Sequence, residues 1–247
     1  MSQAEDQFWD RRYLAEGAIW GEGPSPTALL AARYLRAGDR VFEVGFGYGR
    51  DLAFLGQRRC LVSGIDLSPT GLTLARQRLE QAGVQPQFLY QGRFEDAELA
   101  PQAFDMVLCH RMAHLLITPE AIRRFARKVE EVLRPGGLLC LAARNTRDLN
   151  LAEMVPVADQ VYEYIRRPGH RIRYWDDAAF HEAFGEAFAL RRLTAAVEQE
   201  TAAQPVPCHL TILVAHKTGA PLPSEQYRGK IDSRARNVLR RSIRIAT

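Results

Sequence analysis

The stretch "VFEVGFGYGR", residues 41 to 50, sets Gly45, Gly47 and Gly49 at alternate positions directly behind an apolar run. An apolar strand that runs into glycines and then into a helical pattern, "GRDLAFLGQR", marks the ligand-facing edge of an α/β sheet. The alternation continues downstream. "CLVSGIDLS" reads as a second strand ending at Asp66, and Ser68 caps the helix "PTGLTLARQRLEQAG", with Pro69 in its first turn and Gly83 near its end. "PQFLYQG", "FDMVLCH" and "LLCLAARN" supply strands three to five, and "PEAIRRFARKVEEVL" is a helix opened by Thr118 and Pro119 and stopped at "RPGG". Strands alternating with helices dictate a parallel sheet covered on both faces.

Ahead of this unit, residues 3 to 16 and 25 to 36 read as helices separated by "WGEGPSP". Beyond residue 146 the pattern changes. "LAEMVPVADQVYEYI" is expected to be helical, beginning, ending or kinking at Pro156, and "DDAAFHEAF" to be a short helix. "FALRRLTAAVEQE" and "CHLTILVAHK", joined by "TAAQPVP", form an antiparallel hairpin at the sheet edge. The fold class is therefore α/β: a Rossmann-like, doubly wound, seven-stranded sheet, mostly parallel with a C-terminal antiparallel β-hairpin. The chain divides into an N-terminal helical lid (1–36), a main domain (37–217), and a linker with a basic tail (218–247).

Composition narrows the class. A chain of 247 residues, 47% hydrophobic, suits one sizeable α/β domain with appendages. "MSQAEDQFWD" lacks the basic start and apolar core of a secretory leader, and no apolar run approaches the ~20 residues that span a bilayer. A cytoplasmic protein without a membrane span is expected. Cys60, Cys109, Cys140 and Cys208 form no CxxC pair, so they suggest neither a metal site nor a disulfide framework and read as buried small hydrophobes. From Tyr227 onward seven Lys or Arg face one acid, although the whole chain carries only +4, so the main body is slightly acidic. Attraction to nucleic acid or an anionic membrane would have to come from the tail, which lacks aromatic residues for base stacking.

The glycine loop does not fit a phosphate ligand. A dinucleotide fold wants G-x-G-x-x-G, but Arg50 or Leu52 falls at the last position in the two available registers. The triphosphate loop G-x-x-x-x-G-K-[ST] is also absent. What remains is an acid at Glu43, three alternating glycines, and an acid at the end of the next strand, Asp66.

Together with "GIDLS", "GRFEDA", "FDMVL" and "VLRPGGLL", in that order over roughly residues 40 to 145, this arrangement resembles the class I S-adenosylmethionine-dependent methyltransferases. The resemblance implies S-adenosyl-L-methionine as cofactor, with S-adenosyl-L-homocysteine as product. It makes Gly45, Phe46 and Gly47 backbone contacts and has Glu43 organise the loop or take the amino group. Asp66 would bind ribose, with Leu67 against adenine. Glu43 as a loop brace and Asp66 as a helix cap are the plainer alternatives. Relatives carry an acid after the glycine of strand three, where this chain has Arg93. Phe94 still offers a backbone N–H to adenine, and Glu95 or Asp96 an acceptor.

"GYGRDLAFL", "DLSPTGL", "LLCLAARNT" and "HRIRYW" narrow the resemblance toward the TehB-type tellurite and thiopurine methyltransferases, a branch in which "GYGR", hence Arg50, is typical. That branch folds an aromatic segment over the cofactor, matched here by Trp9, Tyr13 and Trp20, with Trp20 placed in the lid and Trp9 equally suited to anchoring a helix. It places a basic residue at the end of strand four, matched by His110. His114 lies four residues on, without a third ligand for a metal site. Arg144 and Asn145 after strand five, and His209 opening the last strand, are candidate acceptor-binding residues, with solvated surface charge as the alternative for the arginines. The implied function is in-line methyl transfer to a small-molecule acceptor, either a thiol, a chalcogen oxyanion or another small anionic or soft nucleophile. No catalytic base stands out. An RNA or protein methyltransferase recruited by the tail, a non-catalytic cofactor-binding module, and a homodimer built through the tail remain open.

Overall fold

The computed structural model describes residues 3–185, 187–199, 201 and 206–218. The linker and basic tail assigned to 218–247, apart from Thr218, and most of the connection "TAAQPVP" lie outside the described residues. The elements follow in the order α1 (Gln3–Glu16), α2 (Pro26–Ala31), β1 (Arg40–Val44), α3 (Arg50–Gly56), β2 (Leu61–Asp66), α4 (Pro69–Gln81), β3 (Phe88–Gln91), β4 (Phe104–His110), α5 (Pro119–Val132) and β5 (Leu133–Arg144). After these come β6 (Met154–Ala158), β7 (Val161–Tyr164), β8 (Arg171–Arg173), α6 (Asp177–Phe184), β9 (Phe188–Gln199) and β10 (Pro207–Lys217).

Seven strands form one sheet in the order β3-β2-β1-β4-β5-β10-β9. The first five are parallel, and β10 runs antiparallel to both β5 and β9. Strand periodicity divides the core between the two faces. Met106, Leu108, Cys140, Ala142, Leu210 and Ile212 pack with α2, α3 and α4. Val107, Cys109, Leu139, Leu141 and Leu213, alternating with them, pack with α5 and α6 through Phe125, Phe180 and Phe184. Each Val, Leu, Ile, Met or Phe among them removed from water contributes roughly 1.5–3 kcal/mol. Side-chain oxygens accept from first-turn N–H groups of α2, α4, α5 and α6. Ser25 Oγ accepts from Ala28 (3.0 Å), Ser68 Oγ from Gly71 (2.9 Å), Thr118 Oγ1 from Ala121 (3.1 Å) and Asp176 Oδ1 from Ala179 (2.8 Å).

Three expectations need correction. Residues 154–164 are two antiparallel strands, which with β8 make a separate three-stranded sheet ordered β6-β7-β8. Val155, Val157, Val161, Tyr162 and Tyr164 favour a pleated surface, Gln160 turns the chain at φ 56°, and Pro156 sits on an edge strand, where its missing N–H breaks few ladder bonds. The second N-terminal helix is short, ending at Ala31 rather than running to 36. β5 begins at Leu133, so "RPGG" lies inside the strand as an irregularity in its pairing with β4 instead of ahead of it.

Strands β1 and β4 are neighbours although β2 and β3 intervene in sequence, so the winding direction reverses between them. The crevice outside the carboxyl ends of these strands is where such sheets bind ligands. Among the described residues no helix is long and apolar enough to cross a membrane. All four cysteines are buried, and none is in a disulfide.

Candidate functional site

The loop leaving β1 enters that crevice and needs glycine at alternate positions. Gly47 has φ 55°, and a Cβ there would lie 2.6 Å from Tyr13 Oη. Gly49 has φ 77°, and its Cβ would press on Ala75 of α4 at 3.0 Å, so glycine lets the start of α3 approach α4. Asp66, at the end of β2, holds the loop in shape. Its Oδ2 accepts the Gly47 N–H at 2.7 Å and its Oδ1 the Ser68 N–H at 2.9 Å. Burial nonetheless raises the Asp66 carboxyl above its usual range, against the lowering effect of these bonds.

Glu43 lies beneath the loop and is only 2% exposed. Its Oε2 has no hydrogen-bond partner. Burial first, and Asp51 next, push its pKa well above the ordinary glutamate value. Asp51 itself is engaged, accepting the Ser25 N–H at 2.7 Å and the Ser25 hydroxyl at 2.5 Å.

A second buried cluster closes the other wall. Glu198, on β9, meets Arg50 Nη2 at 2.7 Å, His110 Nε2 at 3.0 Å and Arg111 Nη1 at 3.6 Å. The Thr27 hydroxyl lies 2.7 Å from His110 Nδ1, so both ring nitrogens are occupied. Arg50 also donates to the Trp20 carbonyl at 3.1 Å. The Trp20 ring stacks on Tyr48 with centroids 6.1 Å apart, and Tyr48 Oη accepts the Trp20 N–H while donating to the Gly21 carbonyl. The indole Nε1 is buried without a partner. Arg111 takes φ 54°, a left-handed conformation that is uncommon for a residue with a side chain.

Helix α1 roofs the crevice. Trp9 and Tyr13 lie on it with ring centroids 6.0 and 6.2 Å from Trp20. Asp10 ties the helix to α4, accepting from Ser68 Oγ at 2.7 Å and from the Thr70 N–H at 2.9 Å.

These elements bound a cleft that is open to solvent. Trp20, Glu43, Gly45, Phe46, Gly47, Arg50, Asp66, Leu67, Arg93, Phe94 and His110, the residues singled out from the sequence for the cofactor, all line it. Glu95 lines it too, whereas Asp96 turns outward to pair with Arg124 at 2.7 Å. Arg144, Asn145 and His209 are not among the lining residues. They gather instead around the turn after β5, where Arg144 Nη1 meets Asp148 Oδ2 at 2.5 Å, the His209 N–H donates to Asp148 Oδ1 at 2.9 Å, and Asn145 Nδ2 donates to Thr211 at 3.3 Å. His114 is buried away from the lining set, its Nδ1 unpartnered, and burial followed by the Arg144 charge holds it neutral. Sequence reasoning missed Tyr48, Arg111, Met112 and Leu115, which line the cleft, and Glu198 behind it. Arg111 had a signal, adjacency to His110 at a strand end, but Glu198 had none.

The set fits the expected cofactor. An unpartnered buried acceptor suits an ammonium, and an unpartnered indole N–H on a ring that lies against two guanidinium groups suits a carboxylate. Asp66 has roughly four acceptor positions, of which the Gly47 and Ser68 N–H groups use two.

Residues 41–137 match the methyltransferase domain family. The chain is 29% identical over 171 residues to a ubiquinone biosynthesis O-methyltransferase of Xanthomonas euvesicatoria pv. vesicatoria, covering 68% of this chain and 69% of the relative. It is 32% identical over 125 residues to a phosphatidylethanolamine N-methyltransferase of Cereibacter sphaeroides, covering 50% of this chain and 60% of the relative. Among solved structures it is similar to the 1,6-didemethyltoxoflavin-N1-methyltransferase of Burkholderia thailandensis with bound 1,6-didemethyltoxoflavin and S-adenosylhomocysteine. The TM-score is 0.65 at 16% identity, over 87% of this chain and 88% of that one, and this likeness establishes the fold.

Proposed function

We propose that this chain, a class I S-adenosylmethionine-dependent methyltransferase, transfers the methyl group to a small acceptor that is already a good nucleophile: a thiol, a chalcogen oxyanion or a similar soft or anionic group. The cofactor supplies a methyl carbon activated by a positive sulfur, so alignment and exclusion of water account for most of the acceleration. In this reading Glu43 receives the ammonium, and Asp66 accepts from ribose. Leu67 and the Phe94 N–H contact adenine, Arg93 borders that end, and Trp20 with Arg50 and His110 forms the wall at the amino-acid end.

One observation carries the choice of acceptor. Of the groups beside the aromatic roof, His110 has both nitrogens occupied, Asp51 has both oxygens occupied, and burial raises the Tyr13 pKa so that it keeps its proton, while Glu43, whose Oε2 is unpartnered, is taken in this reading by the ammonium. A hydroxyl acceptor would need a base that a thiolate or oxyanion does not. The narrower likeness to the tellurite and thiopurine branch, drawn from "GYGR" and Trp20, agrees with this preference. Arg144, Asn145 and His209 then act as braces of the Asp148 turn, outside acceptor recognition.

A second reading, O-methylation, is favoured by the name of the Xanthomonas relative. Labelled-methyl transfer from the cofactor to thiols, tellurite, selenite and catechols separates the two. The first reading expects turnover of thiols or oxyanions that rises with the thiolate fraction, and turnover confined to catechols would overturn it. Removing residues 227–247 is expected to leave this turnover unchanged; its loss would favour the tail-recruited alternative.

A further inference from the structure

Glu198 is distant in sequence from everything that identifies the cleft, yet its carboxylate is the point at which the cleft wall is assembled. It is 11% exposed and reaches back from the antiparallel hairpin to three groups of the parallel half. Burial opposes its ionisation, but His110 and Arg50 outweigh burial and hold it ionised far below the usual glutamate range. A buried carboxylate persists only with such compensation, and removing it strands its cationic partners.

The consequence reaches the ligand through Arg50. One amino group of this guanidinium meets Glu198 and the other meets the Trp20 carbonyl. Arg50 is thereby held between the hairpin and the segment that carries the indole. Tyr48 fixes the same segment from the other side through the Trp20 N–H and the ring stack. The result is an indole Nε1 held in the cleft wall without an acceptor, with the Arg50 and Arg111 guanidinium carbons 5.9 and 5.4 Å from the ring centroid. An orphaned buried N–H is costly, so this donor calls for an acceptor on the ligand. Two cations against the same ring make an anionic acceptor the best fit.

We propose that Glu198 is a positioning residue for a carboxylate-binding subsite made by Trp20 Nε1 and the adjoining guanidinium groups, with the carboxylate belonging to the amino-acid portion of the cofactor or to the methyl acceptor. The inference rests on the cofactor reading given above and adds to it the group that holds the carboxylate end.

The test measures binding of S-adenosylhomocysteine and of 5′-methylthioadenosine, which lacks the amino-acid carboxylate, to the full chain and to Glu198→Gln. Turnover of 3-mercaptopropionate and 2-mercaptoethanol supplies the acceptor arm. If the carboxylate is the cofactor's, Glu198→Gln weakens S-adenosylhomocysteine about tenfold or more, leaves methylthioadenosine within twofold, and has no further effect in a Trp20→Phe background. If it is the acceptor's, S-adenosylhomocysteine affinity is kept, and KM rises for mercaptopropionate alone with kcat retained. Equal weakening of both nucleosides, or no change in either arm, overturns the proposal. Failure of the unaltered chain to bind S-adenosylhomocysteine would instead overturn the cofactor reading itself.

Discussion

Replacing Glu43 with Gln removes one charge from the floor of the cleft while keeping the side chain's shape. In the free protein Glu43 is 2% exposed with Oε2 unpartnered, and burial chiefly, then Asp51, raises its pKa well above the ordinary value of 4.5. A raised carboxyl pKa means that the folded state binds the proton more tightly than the unfolded chain. Its contribution to stability is therefore full below pH 4.5 and falls as pH rises toward the folded-state value, by up to about 1.4 kcal/mol per pH unit. Glu43→Gln abolishes this slope. The variant matches the parent near pH 4.5 and exceeds it at pH 8, by about 1–3 kcal/mol if the cost is that of one unsatisfied buried group. The cofactor reverses the order. A charge-assisted bond between the carboxylate and the ligand ammonium is worth about 1.5–3 kcal/mol, so the variant should bind S-adenosylhomocysteine roughly 10- to 150-fold more weakly. Urea unfolding at pH 5, 6.5 and 8, with and without S-adenosylhomocysteine, reads both effects. A ligand-free variant less stable than the parent at pH 8, or one with undiminished affinity, would refute the reasoning.

Gly47→Ala puts a Cβ 2.6 Å from Tyr13 Oη at φ 55°, so it should abolish S-adenosylhomocysteine binding by calorimetry, and adding Tyr13→Phe should restore part of it. Asp66→Ala orphans the Gly47 and Ser68 N–H groups, at about 1–3 kcal/mol each, and is expected to lower the melting temperature and eliminate binding together. Asp10 is opposed by burial but held below its usual pKa by its bonds to Ser68 and Thr70, so its tie to α4 is present above pH 3.8 and lost as pH falls through the depressed value. Asp10→Asn should accelerate hydrogen exchange in α1 and S-adenosylhomocysteine release at neutral pH, and unchanged rates in both would argue against a roof held at that point.

The parallel half of the sheet was readable because each of its signals is local. Ser68 and Pro69 announce α4, Thr118 and Pro119 announce α5, and the glycines after β1 are needed where a Cβ would meet Tyr13 or Ala75. The three-stranded sheet was not, since Pro156 breaks a helix and suits an edge strand equally well. Only the pairing of Val155 with Glu163 and of Tyr162 with Ile172 decides between them. The same division runs through the site. Glu43, Gly47 and Asp66 lie on two short segments with their own spacing, whereas the commitment of the Arg50 guanidinium to the Trp20 carbonyl and Glu198 is not local. That commitment depends on a residue 148 positions away, on a strand whose sequence carries only edge-strand character.

The geometry also explains why a glycine-rich loop between a strand and a helix here does not imply a phosphate. Phosphate sites use the free N–H groups and positive end of a helix N-terminus. At α4 those groups are taken, the Thr70 N–H by Asp10 and the Gly71 N–H by Ser68 Oγ. At α3 the first turn carries Asp51, and Glu43 and Asp66 lie beside the loop that precedes it. A phosphate entering the cleft beside this loop would face three acidic side chains. A cationic ligand with an ammonium and one carboxylate meets the opposite balance: acids beside its positive groups, and for its single negative one an unpartnered indole N–H whose ring lies against two guanidinium groups.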